Sequence, residues 1–551
     1  MQQSESILES DEQDYAQGTS HGILSRLGLL EKWPMSFGFG CILGLSTPGF
    51  DISFLAWIGL VPLLLLIQSC RQRREAAIVG FSFGMGYYLT AMRWFLGLHP
   101  LNWLSLNDLL SAQAAAAVWV IASAHQALLI TAFAFCVYAI PMRASFLPYH
   151  LRPFYPYLLS VPLLWMFFMW VVGHMEAYLG TPVVELAYSQ FQQLELIQIC
   201  KLGGSQLLDF LIVLTNCTLA IVIMEYTRLV PKLGRRIDRL APRGGAIFDL
   251  ALVTTIIAVA FSWGRGELIN STDSTRLASS YSSEYTPPVI ACALQGNLNI
   301  EDERMGTTPT EAVAQRYADL AHGIGAGLVV LPEGVLTPLQ ERQGMLTSKL
   351  FDISKYEKKE IVTGSVESIK GSSVNAVRVI STDKNTLQSS LYVKRRLVPF
   401  GEFYPQTFLD ALIPSQVKKL MLGHQGGFVA AQKLRLLNSI WGKIGASICV
   451  EVIYPKLIAN EVRSGASLLV NVSNLAWFHN SPLNRQILAS AVMRSVENGR
   501  YMILATNTGI SAIIDPAGVV STASYPGKKG ILLNPVRFLC RNTPFSKMWW
   551  L

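Results

Sequence analysis

The chain has 551 residues, of which 51% are hydrophobic and only 15% are charged. This composition excludes an ordinary soluble enzyme of one domain, because such proteins carry more charge and are shorter. The eight cysteines form no C-x-x-C pair and are too sparse for a disulfide scaffold. The sequence therefore indicates neither a zinc site nor a fold held by disulfides.

Apolar residues are concentrated in the first half of the chain, in stretches of about 20 residues with few charges. Residues 1–32 form a polar N-terminal segment, and residues 33–264 are predicted to form a transmembrane bundle of about seven helices. The predicted spans are 34–50, 52–70, 77–98, 114–140, 158–175, 206–226 and 246–264.

Basic residues alternate between the loops of this bundle. Arginines follow the second span at 71–74, and six Lys or Arg residues follow the sixth at 228–243, whereas 99–113 contains none. The positive-inside rule then places residues 1–32 and the basic loops in the cytoplasm. With an odd number of spans, everything after Trp263 lies on the extracytoplasmic side. The same rule explains the basic loops without a nucleic-acid partner.

A Ser/Thr-rich linker at 265–287 separates the bundle from a region with a different residue pattern. There, short β-branched runs alternate with helical patterns at 308–325 and 485–500, which is typical of a layered α/β domain. We expect this domain to span 288–535. The strand-like runs are 289–297, 327–334, 360–368, 375–382, 444–453, 466–474, 501–509 and 511–518.

Three of the sequence motifs in this domain carry a polar residue that burial alone would not select. They are Glu333 in "LVVLPEG", Lys394 in "LYVKRRLVPFGEFYP" and Cys449 in "GASICVEVIYP". A base, a cation and a thiol are what acyl transfer through a thioester requires. Each also has a structural alternative: a helix cap, part of a solvated basic run, and a buried core cysteine. Spacing alone does not show that the three meet.

Together with "NVSNLAWF" (471–478), these motifs resemble the Glu-Lys-Cys site of the nitrilase superfamily. The "LVPFGEF" form behind a membrane bundle resembles its membrane-embedded branch, the apolipoprotein N-acyltransferase family. "GFSFGMGYY" (80–88), Trp94 and "AYSQ" (187–190) resemble that family's membrane half. The resemblance implies a polytopic α-helical membrane bundle plus an extracytoplasmic α/β nitrilase-like domain, which is an α-β-β-α sandwich.

The resemblance also implies a reaction. An acyl chain would pass from a membrane phospholipid, through a thioester on Cys449, to the α-amine of the S-diacylglyceryl-cysteine that begins a lipoprotein. Glu333 would be the general base, and Lys394 would stabilise the oxyanion. Glu402 and Glu451 match acidic residues that the family places around the nucleophile. Hydrogen bonding behind the site or structural pairing is the alternative to direct proton transfer by these two.

Phe400, Phe403, Asn474, Trp477 and Phe478 are expected to line the substrate site, with ordinary core packing as the alternative for the aromatic residues. No cofactor and no metal are implied. The expected partners are a phospholipid donor, a diacylglyceryl lipoprotein acceptor and membrane lipids. We expect a monomer in the bacterial inner membrane with its catalytic domain in the periplasm.

Three positions at the site motifs depart from the family pattern, and the family's QH…AR helix appears as Gln486-Ile487 and Ala491-Val492. Arg396 stands where the family usually has His, Val450 where it has Tyr, and Leu475 where it has an acid. The family's last transmembrane helix is also not apparent in the tail at 536–551. A membrane-tethered amidase that hydrolyses a C–N bond, or an inactive membrane scaffold, are the alternative functions.

Overall fold

The computed structural model describes residues 23–101, 106–140, 157–174, 185–227, 245–277, 287–298, 310–336, 340–383, 391–403 and 427–548. Within these ranges, a helical bundle in the first half of the chain is followed by two packed β-sheets with helices on their outer faces. The basic loop predicted at 228–243 lies entirely outside the described residues.

The helices of the bundle follow the predicted spans. They are α1 (Leu29–Gly44), α2 (Val61–Ser69), α3 (Arg73–Ala91), α4 (Asp108–Val137), α5 (Tyr157–His174), α6 (Cys200–Tyr226) and α7 (Gly245–Leu277). Helices of four residues lie at Ile23–Arg26 and Leu194–Ile197, and 3₁₀ turns lie at Ser53–Trp57, Arg93–Leu98 and Leu186–Gln190. Among the described residues, Asp108–Val137, Cys200–Tyr226 and Gly245–Asn270 are long and apolar enough to cross a membrane. The chain is therefore a membrane protein, and the crossing of the other four predicted spans stays a prediction.

Several bundle elements differ from the predicted spans. The span predicted at 52–70 is divided between the 3₁₀ turn Ser53–Trp57 and α2. The predicted span 77–98 is divided, because α3 ends at Ala91 and a 3₁₀ turn takes Arg93–Leu98. In contrast, α7 continues to Leu277, beyond the predicted start of the linker at 265. The extension contains no proline and only one glycine, so nothing in it terminates a helix.

The second half of the chain forms twelve strands within the described ranges. They are β1 (Val289–Gln295), β2 (Leu328–Val330), β3 (Glu360–Ile369), β4 (Ser372–Ile380), β5 (Leu391–Val393), β6 (Leu437–Ser439), β7 (Gly442–Ile448), β8 (Leu468–Ser473), β9 (Met502–Thr506), β10 (Ala512–Ile514), β11 (Val520–Ala523) and β12 (Gly530–Val536). The helices are α8 (Thr310–Ala321), α9 (Gln340–Glu357), α10 (Pro455–Arg463) and α11 (Leu483–Asn498), with a last turn at Pro544–Lys547.

The strands make two six-stranded sheets with related orders, β12-β1-β2-β3-β4-β5 and β11-β10-β9-β8-β7-β6. In each sheet three central strands are parallel and the flanking strands are antiparallel. The central strands read as continuous apolar runs because both of their faces are covered. Side chains from the inner faces of both sheets, such as Val330, Val362, Ile448 and Val472, form one buried cluster.

Helices cover the outer faces, which confirms the predicted α-β-β-α sandwich. α8 and α9 pack on the first sheet, where Tyr317 and Leu350 join Val329 in a buried cluster. The second sheet is covered by α10 and α11, and their apolar side chains share one continuous core with the membrane bundle. Every residue of α11 except Arg485 is buried, as expected for a helix held between a sheet and a bundle.

Candidate active site

Glu333 lies in the turn that follows β2. Its turn passes so close to β3 that a Cβ on Gly364 would come within 2.5 Å of the Glu333 Cα, so this position requires glycine. The backbone N–H of Asn474, just after β8, donates to Glu333 Oε2 at 2.8 Å. The carboxylate is therefore held at the carboxyl ends of strands from both sheets, where layered α/β domains place their sites.

Lys394 directly follows β5, and its ammonium lies between two carboxylates. Nζ is 2.8 Å from Glu402 Oε1 and 3.3 Å from Glu333 Oε1. Asn375 Nδ2 donates to the same two oxygen atoms at 2.8 Å each. The remaining Glu402 oxygen accepts the backbone N–H of Val398 at 2.8 Å. With 1% of its surface exposed, Lys394 is a fixed charge within the site and not part of a solvated basic run.

Cys449 begins a 3₁₀ turn, Cys449–Ile453, directly after β7. Its φ is +53°, in the left-handed region, which costs a non-glycine residue about 1–3 kcal/mol. Asn471 Nδ2 supports the turn by donating to the Cys449 carbonyl oxygen at 3.2 Å and to Ser447 Oγ at 2.9 Å. The thiol residue is half-buried at this turn.

Charges within the site act on the pKa values of Cys449 and Lys394. Burial raises the pKa of the Cys449 thiol well above its ordinary value, and the Glu333 charge raises it further against the opposing Lys394 charge. Burial alone would lower the pKa of Lys394, but the carboxylates of Glu333 and Glu402 outweigh it and raise that pKa. The resting site therefore holds a neutral thiol that needs a base, beside a permanent ammonium.

Glu451 lies within the turn Cys449–Ile453, is fully buried and accepts four hydrogen bonds. Its Oε1 accepts the backbone N–H groups of Arg395 at 2.7 Å and Arg396 at 2.9 Å. Its Oε2 accepts the Tyr392 hydroxyl at 2.9 Å and the backbone N–H of Ile448 at 2.8 Å. This carboxylate joins the lysine loop to the strand before the thiol, so the contacts favour a structural role over direct proton transfer.

The aromatic residues expected to line the substrate site follow Lys394 and Asn474 in the chain. Phe400 has a φ of +63°, and its backbone N–H donates to the Phe403 carbonyl at 2.8 Å; both rings are half-buried. Trp477 and Phe478 are also half-buried, in a 3₁₀ turn at Ala476–Phe478. Phe478 packs edge to face on Trp94 of the membrane bundle, with ring centroids 5.0 Å apart. Phe478 therefore joins the second half of the chain to the membrane bundle.

The side chain of Asn474 is engaged within the protein. Its Oδ1 accepts the backbone N–H of Ala476 at 3.3 Å and Asn507 Nδ2 at 3.2 Å. Together with its backbone bond to Glu333, these contacts make Asn474 a structural support of that carboxylate. A substrate contact by its side chain would have to share Oδ1 or use its amide nitrogen.

The three departures from the family pattern have local structural explanations. The Arg396 guanidinium lies 5.5 Å above the Tyr454 ring, while its backbone serves Glu451. Val450 and Leu475 pack against the core shared by the bundle and α11. Within the described ranges, no group of three or more His, Cys, Asp and Glu is arranged to hold a metal ion.

Sequence reasoning missed Asn375, Asn471 and Tyr392, which hold the site together. Asn375 stands in "NAVRVI" and Asn471 in "LVNVS", so each is a polar residue within a buried β-branched run. A buried amide requires hydrogen-bond partners, and this requirement is the signal that could have singled them out.

Comparison with known proteins agrees with this architecture. The Apolipoprotein N-acyltransferase N-terminal domain model matches residues 39–218, and the Carbon-nitrogen hydrolase model matches residues 293–538. A protein of Gloeobacter violaceus named Apolipoprotein N-acyltransferase is 30% identical over 91% of this chain and 87% of its own length. Proteins of the same name from Geobacter metallireducens and Chromobacterium violaceum are 29% and 28% identical over 90% and 89% of this chain, and 88% and 84% of their own lengths. The chain is an acyltransferase and belongs to the apolipoprotein N-acyltransferase family.

Proposed function

We propose that the protein transfers an acyl chain from a membrane phospholipid to the N-terminal S-diacylglyceryl-cysteine of lipoproteins, through a thioester on Cys449. The observation that supports this most is the ammonium of Lys394. It is buried between the Glu333 and Glu402 carboxylates and close enough to Cys449 to act on its charge. The names of the relatives supply the reaction class, and the residue roles below are our assignment.

In the first half-reaction, Glu333 accepts the proton from Cys449 Sγ as the sulfur attacks the carbonyl carbon of the sn-1 ester. Lys394 stabilises the negative charge that develops on the carbonyl oxygen, with the backbone N–H of Val450 as a second donor beside the sulfur. The bond from the acyl carbon to the glycerol oxygen then breaks. Glu333 returns its proton to that oxygen, and a lysophospholipid leaves.

In the second half-reaction, the α-amine of the acceptor attacks the thioester carbonyl. Glu333 accepts a proton from the amine nitrogen, the carbon–sulfur bond breaks, and the Cys449 thiolate recovers a proton from Glu333. The products are an amide and the free enzyme. The same Glu333 therefore serves both steps, which is why its fixed position between Lys394 and the Asn474 backbone matters.

An apolar wall next to the membrane bundle supports transfer over hydrolysis. Phe478 of the catalytic domain packs on Trp94 of the bundle, and we propose that this aromatic face receives the acyl chain from the bilayer. A water-filled pocket would instead suit an amidase. The membrane-tethered amidase alternative is also not favoured by the relatives, which carry the acyltransferase name.

We further propose that the catalytic domain faces the periplasm of the bacterial inner membrane and that the protein works as a monomer. The alternation of basic and bare loops supports this orientation.

Mass spectrometry of lipoprotein N-termini tests the proposed function in cells depleted of the native enzyme. Wild-type protein should restore the N-terminal amide-linked acyl chain, and Cys449→Ala should leave the diacylglyceryl form. Unchanged N-termini with the wild-type protein would contradict the proposal, provided the protein is present in the membrane.

A further inference from the structure

A buried ion pair on α11 lies at the boundary between the catalytic domain and the bundle. Arg494 and Glu497 are both fully buried. Arg494 Nη2 donates to Glu497 Oε1 at 2.8 Å, and Nε lies 2.7 Å from Oε2. We call this pair, with Glu185, Tyr188 and Ser205 of the bundle, the junction network.

On the catalytic side, the junction network reaches the nucleophile turn. Arg494 Nη1 donates to the carbonyl oxygen of Ile453 at 3.1 Å, and Ile453 is the last residue of the turn that begins with Cys449. The Tyr188 hydroxyl is 3.5 Å from the same carbonyl oxygen and accepts a bond from Arg494 Nη1 at 3.3 Å. The end of the turn is thus bound by one side chain from each half of the chain.

On the membrane side, the network uses a kink in α6. Gly203 and Gly204 have non-helical dihedral angles, and Gly204, with a φ of +72°, packs so closely on Phe545 that a Cβ would not fit. At this kink the backbone N–H of Ser205 donates to Glu497 Oε1 at 2.8 Å. The Ser205 hydroxyl donates to Glu185 Oε2 at 2.9 Å.

We propose that Arg494 and Glu497 are positioning residues that hold the nucleophile turn in its strained shape and tie that shape to the membrane bundle. A left-handed non-glycine residue persists only where its surroundings fix it from both sides. Glu451 and Asn471 fix the first end of the turn, and Arg494 fixes the last. This inference rests on Cys449 being the nucleophile, as proposed above.

Simple adhesion between the two halves does not account for this network. Removing an arginine and a glutamate completely from water is costly, and apolar residues of similar volume would pack the boundary at least as well. What apolar residues cannot supply is a hydrogen bond to the Ile453 carbonyl at a defined distance. The network therefore fixes the position of the turn that carries Cys449. The bundle elements that contain Tyr188 and Ser205 contribute to fixing it.

The test uses the full-length protein in phospholipid nanodiscs and three readouts: kcat and KM for acyl transfer, the pH profile of Cys449 alkylation by iodoacetamide, and the thermal midpoint. Glu497→Gln and Arg494→Lys should lower kcat by about tenfold or more, because small displacements of a reacting group cost that much. KM should stay within about twofold, and the alkylation profile should shift because the thiol moves relative to its charged neighbours. Tyr188→Phe should show the same effects more weakly.

Arg500→Lys is the matched control. Arg500 is also buried and hydrogen-bonded to backbone, with Nε donating to the Ala466 carbonyl at 3.0 Å and Nη1 to the Arg541 carbonyl at 2.6 Å. Among the described residues, none of its hydrogen bonds goes to the nucleophile turn. Arg500→Lys should lower the thermal midpoint and leave the pH profile of Cys449 alkylation unchanged.

Equal stability losses for Arg494→Lys and Arg500→Lys, with the alkylation profile and kcat per folded protein unchanged in both, would overturn the inference. If Glu497→Gln and Arg494→Lys do not insert, Tyr188→Phe decides, since it removes a single hydroxyl. A wild-type protein without acyl transfer would contradict the proposed function, while the alkylation profiles would still test the junction network.

Discussion

The indole of Trp94 meets the ring of Phe478 edge to face, with centroids 5.0 Å apart, and so joins the end of α3 to the loop after β8. Trp94 also stacks on Phe95 at 4.0 Å and is 8% exposed, yet its indole N–H has no hydrogen-bond partner among the described residues. This aromatic contact joins the bundle to the loop that follows Asn474, whose backbone N–H donates to Glu333.

If this face receives the acyl chain of the donor, Trp94→Ala should raise the KM for phospholipid by about tenfold, through lost apolar contact. The alkylation rate of Cys449 should not change. Trp165→Ala is a suitable control, because Trp165 is also buried and packs edge to face on Phe133 within the bundle, at 5.2 Å. Equal effects of both substitutions on KM would show that the loss is one of bundle packing.

The protonation of the thiol gives a second prediction. Because burial and the Glu333 charge raise the pKa of Cys449, alkylation should keep accelerating at pH values above about 8.5, the ordinary thiol pKa. Glu333→Gln removes a negative neighbour, so the inflection should move to lower pH although acyl transfer is lost. Lys394→Met removes a positive neighbour, so the inflection should move to higher pH. Shifts in the reverse directions would contradict the assigned electrostatics.

Glu461 on α10 gives a third prediction, about stability. It is fully buried, and neither carboxyl oxygen has a hydrogen-bond partner among the described residues. Burial and then the Glu451 charge raise its pKa well above the ordinary value. Because the folded-state pKa lies above the unfolded one, the folded protein binds this proton more tightly, and stability falls as the pH rises from the unfolded pKa toward the folded one.

Methionine is similar in length to glutamate and carries no charge. Glu461→Met should therefore raise the thermal midpoint at pH 8 by several degrees and have little effect near pH 4. Glu451→Met should lower the thermal midpoint at both pH values, because the substitution removes four hydrogen bonds. Thermal unfolding followed by tryptophan fluorescence measures both. A Glu461→Met midpoint that falls at pH 8 would mean that this carboxylate has a stabilising partner.

The central strands could be predicted from sequence because parallel strands buried on both faces are continuous β-branched runs. The strand predicted at 444–453 was wrong in its second half, because the strand ends at Ile448 and Cys449 adopts a left-handed backbone conformation. That dihedral angle depends on contacts made by Asn471 and by residues far along the chain. β11 and β12 were missed because edge strands alternate between buried and exposed residues and tolerate a proline such as Pro535.

At the site, motif order singled out Glu333, Lys394 and Cys449, and the structure brings Lys394 into contact with Glu333. What spacing could not supply was which groups hold them. Asn375 reaches both carboxylates only because of the register of the β3–β4 hairpin, in which it faces Val366. Such contacts depend on tertiary packing, and the local sequence shows only that a polar residue lies in an apolar run.

The proposed orientation gives a fourth prediction. A reporter fused after Pro287, beyond the end of α7, should be extracytoplasmic, and one fused near Arg236 should be cytoplasmic. Alkaline phosphatase and a fluorescent protein, each inserted at both sites, report the two compartments. Both fusions on one side, or the reverse pattern, would contradict the topology.

The most direct test of the central claim is the lifetime of the acyl-enzyme. An acyltransferase must hold its thioester until a second lipid arrives, which requires water to be kept from the carbonyl. Incubated with phospholipid alone, the protein should accumulate a hydroxylamine-sensitive acyl adduct on Cys449, seen by mass spectrometry, and release little free fatty acid. Adding a diacylglyceryl-cysteine peptide should discharge the adduct into an amide. Rapid release of fatty acid without acceptor, and no amide when the peptide is added, would contradict acyl transfer through Cys449.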